Sequence, residues 1–189
     1  MRAFAAVTLP EAVRESLAGL QQELARSGAD VKWVEPENLH VTLKFLGEIT
    51  DDQRRGIEAL MQRVAGQHQA FTLGLNEVGA FPSVASPRVV WVGWGAGREA
   101  LMRIAEQIER DGNELRLNKA ERLFAAHLTI GRVRSPRGRQ ELARALQAAA
   151  WRPPPSWRVE SLTLYQSVLS SQGPRYTVLA DIPLAMLAA

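Results

Sequence analysis

Two of the three histidines in this 189-residue chain stand in the same four-residue pattern. Residues 40–43 read HVTL and residues 127–130 read HLTI, so each copy is histidine, aliphatic, threonine, aliphatic. Side chains alternate between the two faces of a β-strand. The histidine and threonine of each copy would therefore share one face, and the two aliphatic residues the other. Each copy predicts a strand that presents an imidazole beside a hydroxyl group.

Two such strands could supply both proton transfers of one reaction. The pKa of histidine lies near neutrality, so one ring can hold a proton while the other lacks one. On opposite sides of a phosphorus centre, His40 and His127 would act as general acid and general base. The hydroxyl groups of Thr42 and Thr129 could donate to the non-bridging phosphate oxygens. An acid, a base and no nucleophilic side chain suit the opening of a cyclic phosphodiester by water.

The duplication is what favours a functional interpretation. A single His-x-Thr on a strand is most often an exposed pair of strand-forming residues. Here the pattern occurs twice, about half the chain apart, and uses two of only three histidines. The third, His68, has neither the threonine nor the strand pattern, and we expect it in a solvated loop.

Short elements of both types must position these strands. Period-two patterns and apolar runs predict strands at residues 3–9, 31–34, 40–47, 71–78, 88–94, 126–133, 158–165 and 175–180. Helical spacing predicts helices over residues 10–28, from Thr50 or Asp51 through residue 64, from residue 98 to Gly112, and from residue 140 to 149. The two types neither alternate strictly nor enclose a glycine-rich phosphate loop, which predicts an open α+β fold.

Composition narrows the chemistry. The chain has no cysteine, which excludes a disulfide framework, a thiol nucleophile and a Cys-ligated metal. An all-histidine metal site would need every histidine, so we expect no metal and no cofactor. The net charge of +3 comes almost entirely from arginine, which favours phosphate-rich partners, although codon bias would explain the same excess. We find no signal peptide or membrane span and expect a cytoplasmic protein.

Two longer segments carry a family resemblance. Residues 33–47, WVEPENLHVTLKFLG, and residues 124–132, FAAHLTIGR, resemble the two signatures of the two-histidine (2H) phosphoesterases. Within that superfamily, the chain is similar to the RNA 2′,3′-cyclic phosphodiesterases, also called bacterial and archaeal 2′-5′ RNA ligases. The similarity extends over nearly the whole chain, including residues 4–10, 88–93, 164–167 and 175–179. One departure is Ala126, where the family usually has proline before the second histidine.

The resemblance implies a fold, a reaction and roles for residues. It implies one domain over residues 1–189, with two pseudo-symmetric lobes, two mainly antiparallel sheets flanked by helices, and a central cleft. It implies metal-independent hydrolysis of a 2′,3′-cyclic phosphate at an RNA 3′ end, in RNA processing, to leave a 2′-phosphate. His40 would be the proton donor and His127 the proton acceptor, with Thr42 and Thr129 binding the phosphate.

Two basic residues near the motifs are further candidates for phosphate binding. Lys44 is four places after His40, so simple alternation puts it on the same face, as a phosphate ligand or as a salt-bridged residue at the rim. Arg132 is five places after His127, so alternation points it away. An arginine there is usual in the family, which suggests that the strand is bulged or ends at Gly131.

Several alternatives stay open at this point. Phe4, Trp33, Trp91 and Trp94 could each stack a nucleobase, and periodicity does not choose among them. The same acid and base would serve the reverse reaction, 2′-5′ joining of RNA ends, although water at bulk concentration favours hydrolysis. A binding module for RNA ends is a third interpretation, but binding alone would not need two titrating groups. The expected partners are RNA 3′ ends or nucleoside 2′,3′-cyclic phosphates, bound by a monomer.

Overall fold

The computed structural model describes residues 1–115, 127–170 and 173–186. This part of the chain contains ten strands and four α-helices in irregular order. The strands are β1 (Arg2–Thr8), β2 (Val31–Trp33), β3 (His40–Glu48), β4 (Phe71–Leu73), β5 (Leu75–Ser83), β6 (Ser86–Trp94), β7 (His127–Val133), β8 (Trp157–Val159), β9 (Ser161–Ser170) and β10 (Gly173–Pro183). The helices are α1 (Glu11–Ala25), α2 (Asp51–Ala65), α3 (Arg98–Gly112) and α4 (Arg139–Ala148).

Eight of the strands form two four-stranded sheets. The first sheet has the order β10-β9-β1-β3 and the second has the order β2-β7-β6-β5, while β4 and β8 form a separate pair. Neighbouring strands within each sheet are antiparallel. Helices α2 and α3 pack against the first sheet, and α1 and α4 pack against the second. The predicted α+β class, with mainly antiparallel sheets flanked by helices, is confirmed.

The helices attach through the apolar stripes that their sequences predict. In α1 the residues Val13, Leu17, Leu20 and Leu24 are buried, and α3 buries Leu101, Ile104, Ala105 and Ile108. Helix α2 begins at the Thr50 cap, where the threonine hydroxyl accepts from the backbone N–H of Gln53 at 3.2 Å. The Gln53 side chain accepts in return from the Thr50 backbone at 3.0 Å, a reciprocal capping box. None of the described helices is long and apolar enough to span a membrane.

The predicted strand over residues 71–78 is wrong in its continuity. It is broken at Gly74, whose backbone N–H donates to the carbonyl of Ala96 at 2.9 Å, so that β4 and β5 belong to different sheets. Residues 79–87, which lie between two of the predicted strands, are mostly strand as well, because β5 and β6 continue into a tight hairpin. Pro82 is tolerated there because β5 is an edge strand, where a missing backbone donor costs little.

Candidate active site

Both motif histidines stand at the first position of a strand. His40 begins β3 opposite Thr8 of β1, and His127 begins β7 opposite Gly93 of β6. The alternation that the sequence predicts is confirmed in both strands. The aliphatic motif residues Val41, Leu43, Leu128 and Ile130 are buried, and both histidines and both threonines are half-buried.

A β-bulge lies at the same motif position in both strands. Leu43 of β3 has no paired residue on β1, and Ile130 of β7 has no paired residue on β6. In each case the bulged residue directly follows the motif threonine. A bulge adds one residue to one strand only, so it reverses which face the following side chains occupy. The two copies therefore share a backbone irregularity as well as a sequence pattern.

The bulge at Leu43 overturns the prediction made for Lys44. Its side chain turns toward the helices, with 1% of its surface exposed, and its ammonium group pairs with the carboxylate of Glu109 on α3. The exposed face is occupied instead by Phe45, which has 69% of its surface exposed. Lys44 was expected on the face of His40 because simple alternation was assumed. That expectation is wrong, because the bulge shifts the alternation by one residue.

The equivalent bulge at Ile130 has the opposite consequence for Arg132. Gly131 takes the buried position, where a Cβ atom would come within 2.6 Å of the Trp33 ring. Arg132 is exposed, and its charge acts on the imidazole of His127. The expected bulge is confirmed, and it puts Arg132 on the exposed face of the strand. Phe45 and Arg132 are thus the equivalent residues of the two copies, one aromatic and one cationic.

The His40 ring is held by a backbone carbonyl and by aromatic side chains. Its Nδ1 donates to the carbonyl oxygen of Asn38 at 2.7 Å, which leaves Nε2 as the outward nitrogen. The Phe4 ring stacks on it with centroids 4.6 Å apart, and the Tyr176 ring meets it edge-on at 5.1 Å. Tyr165 stacks on Phe4 at 5.2 Å, and its ring lies 6.1 Å from the His40 ring. Burial lowers the pKa of His40, and the Asn38 carbonyl opposes this by favouring the protonated ring.

The His127 ring has a different environment. Phe81 meets it edge-on with centroids 4.8 Å apart, and Trp91 lies at 5.6 Å. Burial lowers the pKa of His127, and the nearby Arg132 guanidinium lowers it further by repelling a second positive charge. The polar neighbours of the two imidazoles therefore act in opposite directions. A carbonyl favours protonation of His40, and a cation disfavours protonation of His127.

A buried glutamine on α1 connects the second motif strand to the segment that leads to the first. The Gln21 side-chain amide, on a residue with 5% of its surface exposed, donates to the carbonyl of Ile130 at 2.9 Å and to that of Val34 at 2.7 Å. It thereby fixes the bulged residue of β7 and the start of the connection to His40. This residue was not predicted from the sequence. Its signal was a polar side chain beside the apolar stripe of α1, at Leu17, Leu20 and Leu24.

The four aromatic candidates divide into two groups. Phe4 and Trp91 contact the motif histidines directly. Trp33, on β2, packs over Gly131 of β7, and Trp94 is buried at the end of β6. Ala126 lies outside the described residues. Within those residues, no group of three or more carboxylate or imidazole side chains is placed to hold a metal ion.

A family comparison agrees with this duplicated arrangement. The family model described as LigT like Phosphoesterase matches residues 7–91 and 95–176, so each matched stretch contains one of the two motif strands. The chain belongs to the LigT-like phosphoesterase family.

Two relatives and two solved structures show how far the likeness to other LigT-like phosphoesterases extends. The RNA 2′,3′-cyclic phosphodiesterase of Archaeoglobus fulgidus is 37% identical over 93% of this chain and 96% of its own length. That of Methanothermobacter thermautotrophicus is 34% identical over 94% of this chain and 95% of its own length. A crystal structure of a Thermus thermophilus protein superposes with a TM-score of 0.79 at 32% identity over the whole of both chains. Escherichia coli LigT complexed with 3′-AMP has a TM-score of 0.73 at 28% identity over 97% of both.

Proposed function

We propose that this LigT-like phosphoesterase hydrolyses 2′,3′-cyclic phosphate at RNA 3′ ends to a 2′-phosphate without a metal ion. The observation that carries the proposal is the pair of His-x-Thr strands with the same bulge, in a chain whose relatives are named RNA 2′,3′-cyclic phosphodiesterases. His40 is the proton donor and His127 the proton acceptor. The protein acts as a monomer in the cytoplasm, a reducing compartment that suits a chain without cysteine.

The connection between β2 and β3 supports a shared site for the two imidazoles. The backbone N–H of Val34 donates to the carbonyl of Ile130 at 3.0 Å, directly after Thr129. His40 follows Val34 by six residues, and a 3-10 turn at Pro36–Asn38 shortens the path. Six residues span at most about 20 Å when fully extended. The two motif strands are therefore joined by a short tether, which favours two imidazoles that face one phosphate across a cleft.

The proposed reaction balances with these groups alone. Nε2 of neutral His127 takes a proton from water, and the water oxygen forms a bond to phosphorus. The bond from phosphorus to the ribose O3′ breaks, and protonated His40 delivers its proton from Nε2 to that oxygen. The products are a 2′-phosphate and a free 3′-hydroxyl. Thr42 and Thr129 donate to the non-bridging oxygens, whose charge the transition state must tolerate.

Arg132 completes the phosphate site in this proposal, and Lys44 does not take part. The Arg132 guanidinium has a fork of donors that suits a phosphate group. Burial, and after it the Arg132 charge, lowers the pKa of His127, which favours the neutral ring that a base requires. Burial lowers the pKa of His40, and the Asn38 carbonyl fixes its tautomer and opposes that lowering, in the direction that an acid requires. These opposite influences support the assignment of donor and acceptor.

The pH profile should have its optimum on the acid side of neutrality. The productive free enzyme carries one proton on the histidine pair, and this form is most abundant midway between the two pKa values. Burial lowers both pKa values from the ordinary 6.5. We expect kcat/KM for a 2′,3′-cyclic nucleotide to be bell-shaped with its maximum below pH 6.5. A maximum at or above about pH 7.5 would contradict an acid and base formed by these two residues.

Arg132→Ala should lower kcat/KM by roughly 10- to 100-fold, which is the range for losing one charge-assisted hydrogen bond. The same change should move the pH optimum upward, because the cation that holds down the pKa of His127 is gone. The matched control is Arg134→Ala, since Arg134 is exposed and pairs with Asp30 at 2.7 Å. Equal kinetics and equal pH optima in the two variants would remove Arg132 from the phosphate site.

The function is tested with an oligoribonucleotide that ends in a 2′,3′-cyclic phosphate, incubated with the protein in EDTA. We expect phosphorus NMR of the product to show a 2′-phosphomonoester. A 3′-phosphate, or a requirement for divalent metal, would contradict the proposed mechanism. Adding an RNA with a free 5′-hydroxyl end tests the ligase alternative, which predicts a 2′-5′ joined product. Binding of the cyclic end without turnover would leave only the binding module.

A further inference from the structure

A cavity lies on the first sheet next to the aromatic residues that hold His40. Its volume is about 260 Å³. Its lining includes Arg2, Phe4, Phe45, Leu169 and Tyr176. Phe4 and Tyr176 also contact the His40 ring, at 4.6 Å and 5.1 Å between centroids. The cavity therefore adjoins the proposed active site, with the Phe4 and Tyr176 rings between it and the imidazole.

The side chains around this cavity combine stacking surfaces with a positive charge. Phe45 and Leu169 have 69% and 65% of their surfaces exposed, which is unusual for large apolar residues. Arg2 is exposed, and within the described part of the chain no carboxylate forms an ion pair with it. Its charge acts on the Tyr176 hydroxyl, opposing the burial that raises the pKa of that group. Aromatic faces beside an arginine are the elements that bind single-stranded nucleic acid.

Arg2 lies some distance along β1 from the residue that pairs with His40. Thr8 is the residue of β1 that pairs with His40, and Arg2 is six residues earlier on the same strand. A strand rises about 3.3 Å per residue, so the backbone at Arg2 is roughly 20 Å from the level of His40. The Arg2 backbone is thus well separated from the His40 backbone, and the Phe4 ring that stacks on the imidazole comes from a residue between them on β1. A second phosphate, further along the same RNA strand, fits its position.

We propose that this cavity binds the nucleotide unit preceding the cyclic terminal nucleotide, so that RNA ends are preferred to free cyclic nucleotides. The inference rests on the proposed function and specifies its substrate. Leu169 and Phe45 contact the base of the preceding nucleotide, and Arg2 pairs with a phosphodiester of the RNA backbone. The two motif copies then differ for a reason. Arg132 and Phe45 occupy equivalent positions in the two motif copies. Arg132 contacts the reacting phosphate, whereas Phe45 contacts the RNA that precedes the terminal nucleotide.

The test compares a dinucleotide and a mononucleotide, each ending in the same 2′,3′-cyclic phosphate. The variants are Arg2→Gln and Leu169→Ser. The strands supply matched controls, because Val168 and Arg175 are exposed partners on the opposite face of the β9–β10 ladder and do not line the cavity. The control variants are Val168→Ser and Arg175→Gln. Unchanged turnover of the mononucleotide shows that a variant is folded and has an intact catalytic site.

We expect the wild-type protein to have the higher kcat/KM on the dinucleotide. Each lining variant should lose on the order of tenfold on the dinucleotide and less than about twofold on the mononucleotide. The control variants should match the wild type on both. Arg2→Gln should also make the salt dependence of kcat/KM on the dinucleotide less steep, because one fewer counterion-displacing contact is made.

Two results would overturn the inference. Equal losses on both substrates would mean that the cavity holds the terminal base, and no loss on either would mean that it holds no part of the RNA. If the wild-type protein turned over neither substrate, the proposed function would fail on its own. Affinity for a fluorescent dinucleotide ending in a 2′-phosphate would then decide the inference separately. It requires weaker binding by Arg2→Gln and Leu169→Ser than by the two controls.

Discussion

Replacing His127 with asparagine is expected to lower kcat for 2′,3′-cyclic phosphate hydrolysis by roughly 10²- to 10⁴-fold. Asparagine keeps a hydrogen-bonding group of similar size but cannot exchange a proton near neutrality. His40→Asn should cause a loss of the same order, because the acid and the base act in the same step. Steady-state kinetics with a cyclic nucleotide substrate, in buffer containing EDTA, measures both losses. The double variant should be little worse than either single variant, since the pair acts as a unit.

The matched control is the third histidine. His68→Asn removes an imidazole whose Nε2 lies 2.7 Å from Oε1 of Gln107, in a polar cluster on the surface of α3. We expect its kcat to stay within about twofold of the wild type. Thermal unfolding of all three variants checks that their folds are retained. Full activity in either His40→Asn or His127→Asn would remove that residue from the chemistry.

Lys44→Met is expected to destabilise the protein by about 2–3 kcal/mol without changing KM. The Lys44 ammonium is buried against Glu109, and replacing one partner of a buried ion pair is strongly destabilising. The loss is set below the usual range for buried pairs because the Glu109 side chain is 31% exposed and can recover water. Urea unfolding measures the free energy, and kinetics on the same samples measures KM.

Two further variants isolate the ion pair as the cause. Lys44→Met combined with Glu109→Met should recover much of the lost stability, because replacing both members of a buried pair by apolar residues costs less than replacing one. Lys32→Met, at an exposed position in β2, should change the free energy of unfolding by less than about 0.5 kcal/mol. A Lys44→Met variant with unchanged stability and a raised KM would instead restore Lys44 to phosphate binding.

The parts of the site that depend on local alternation were predictable from the sequence. The repeated His-x-Thr pattern placed both motifs at strands, and the aliphatic residues between the polar ones are buried as alternation requires. The Thr50 cap and the apolar stripes of the helices follow from equally local rules. These predictions succeeded because each depends on neighbours within a few residues.

The bulges at Leu43 and Ile130 were not predictable from local sequence. Both residues are ordinary strand-forming aliphatics, and nothing in their type indicates an extra residue in one strand. Simple alternation therefore gave the wrong face for Lys44. It would also have given the wrong face for Arg132, where a bulge was inferred from a family resemblance. A bulge is fixed by how two strands pair, which a single sequence does not specify.

Contacts between distant residues were the other missing part. Gln21 contacts the carbonyl of Ile130, which is 109 residues away in the chain. The aromatic side chains around His40 are Phe4, near the start of the chain, and Tyr165 and Tyr176, near its end. No window of sequence contains both sides of such contacts. The positions of the two histidines were therefore predictable, whereas the surroundings that lower their pKa values were not.

The most direct test of the paired-imidazole site is a crystal structure with bound adenosine 2′-phosphate, the product-like ligand. We expect Nε2 of His40 and Nε2 of His127 to lie within about 2.6–3.2 Å of oxygens of the same phosphate group. The hydroxyl groups of Thr42 and Thr129 should donate to that phosphate as well. A phosphate held by only one of the two imidazoles, with the other ring turned away from it, would contradict the paired acid and base.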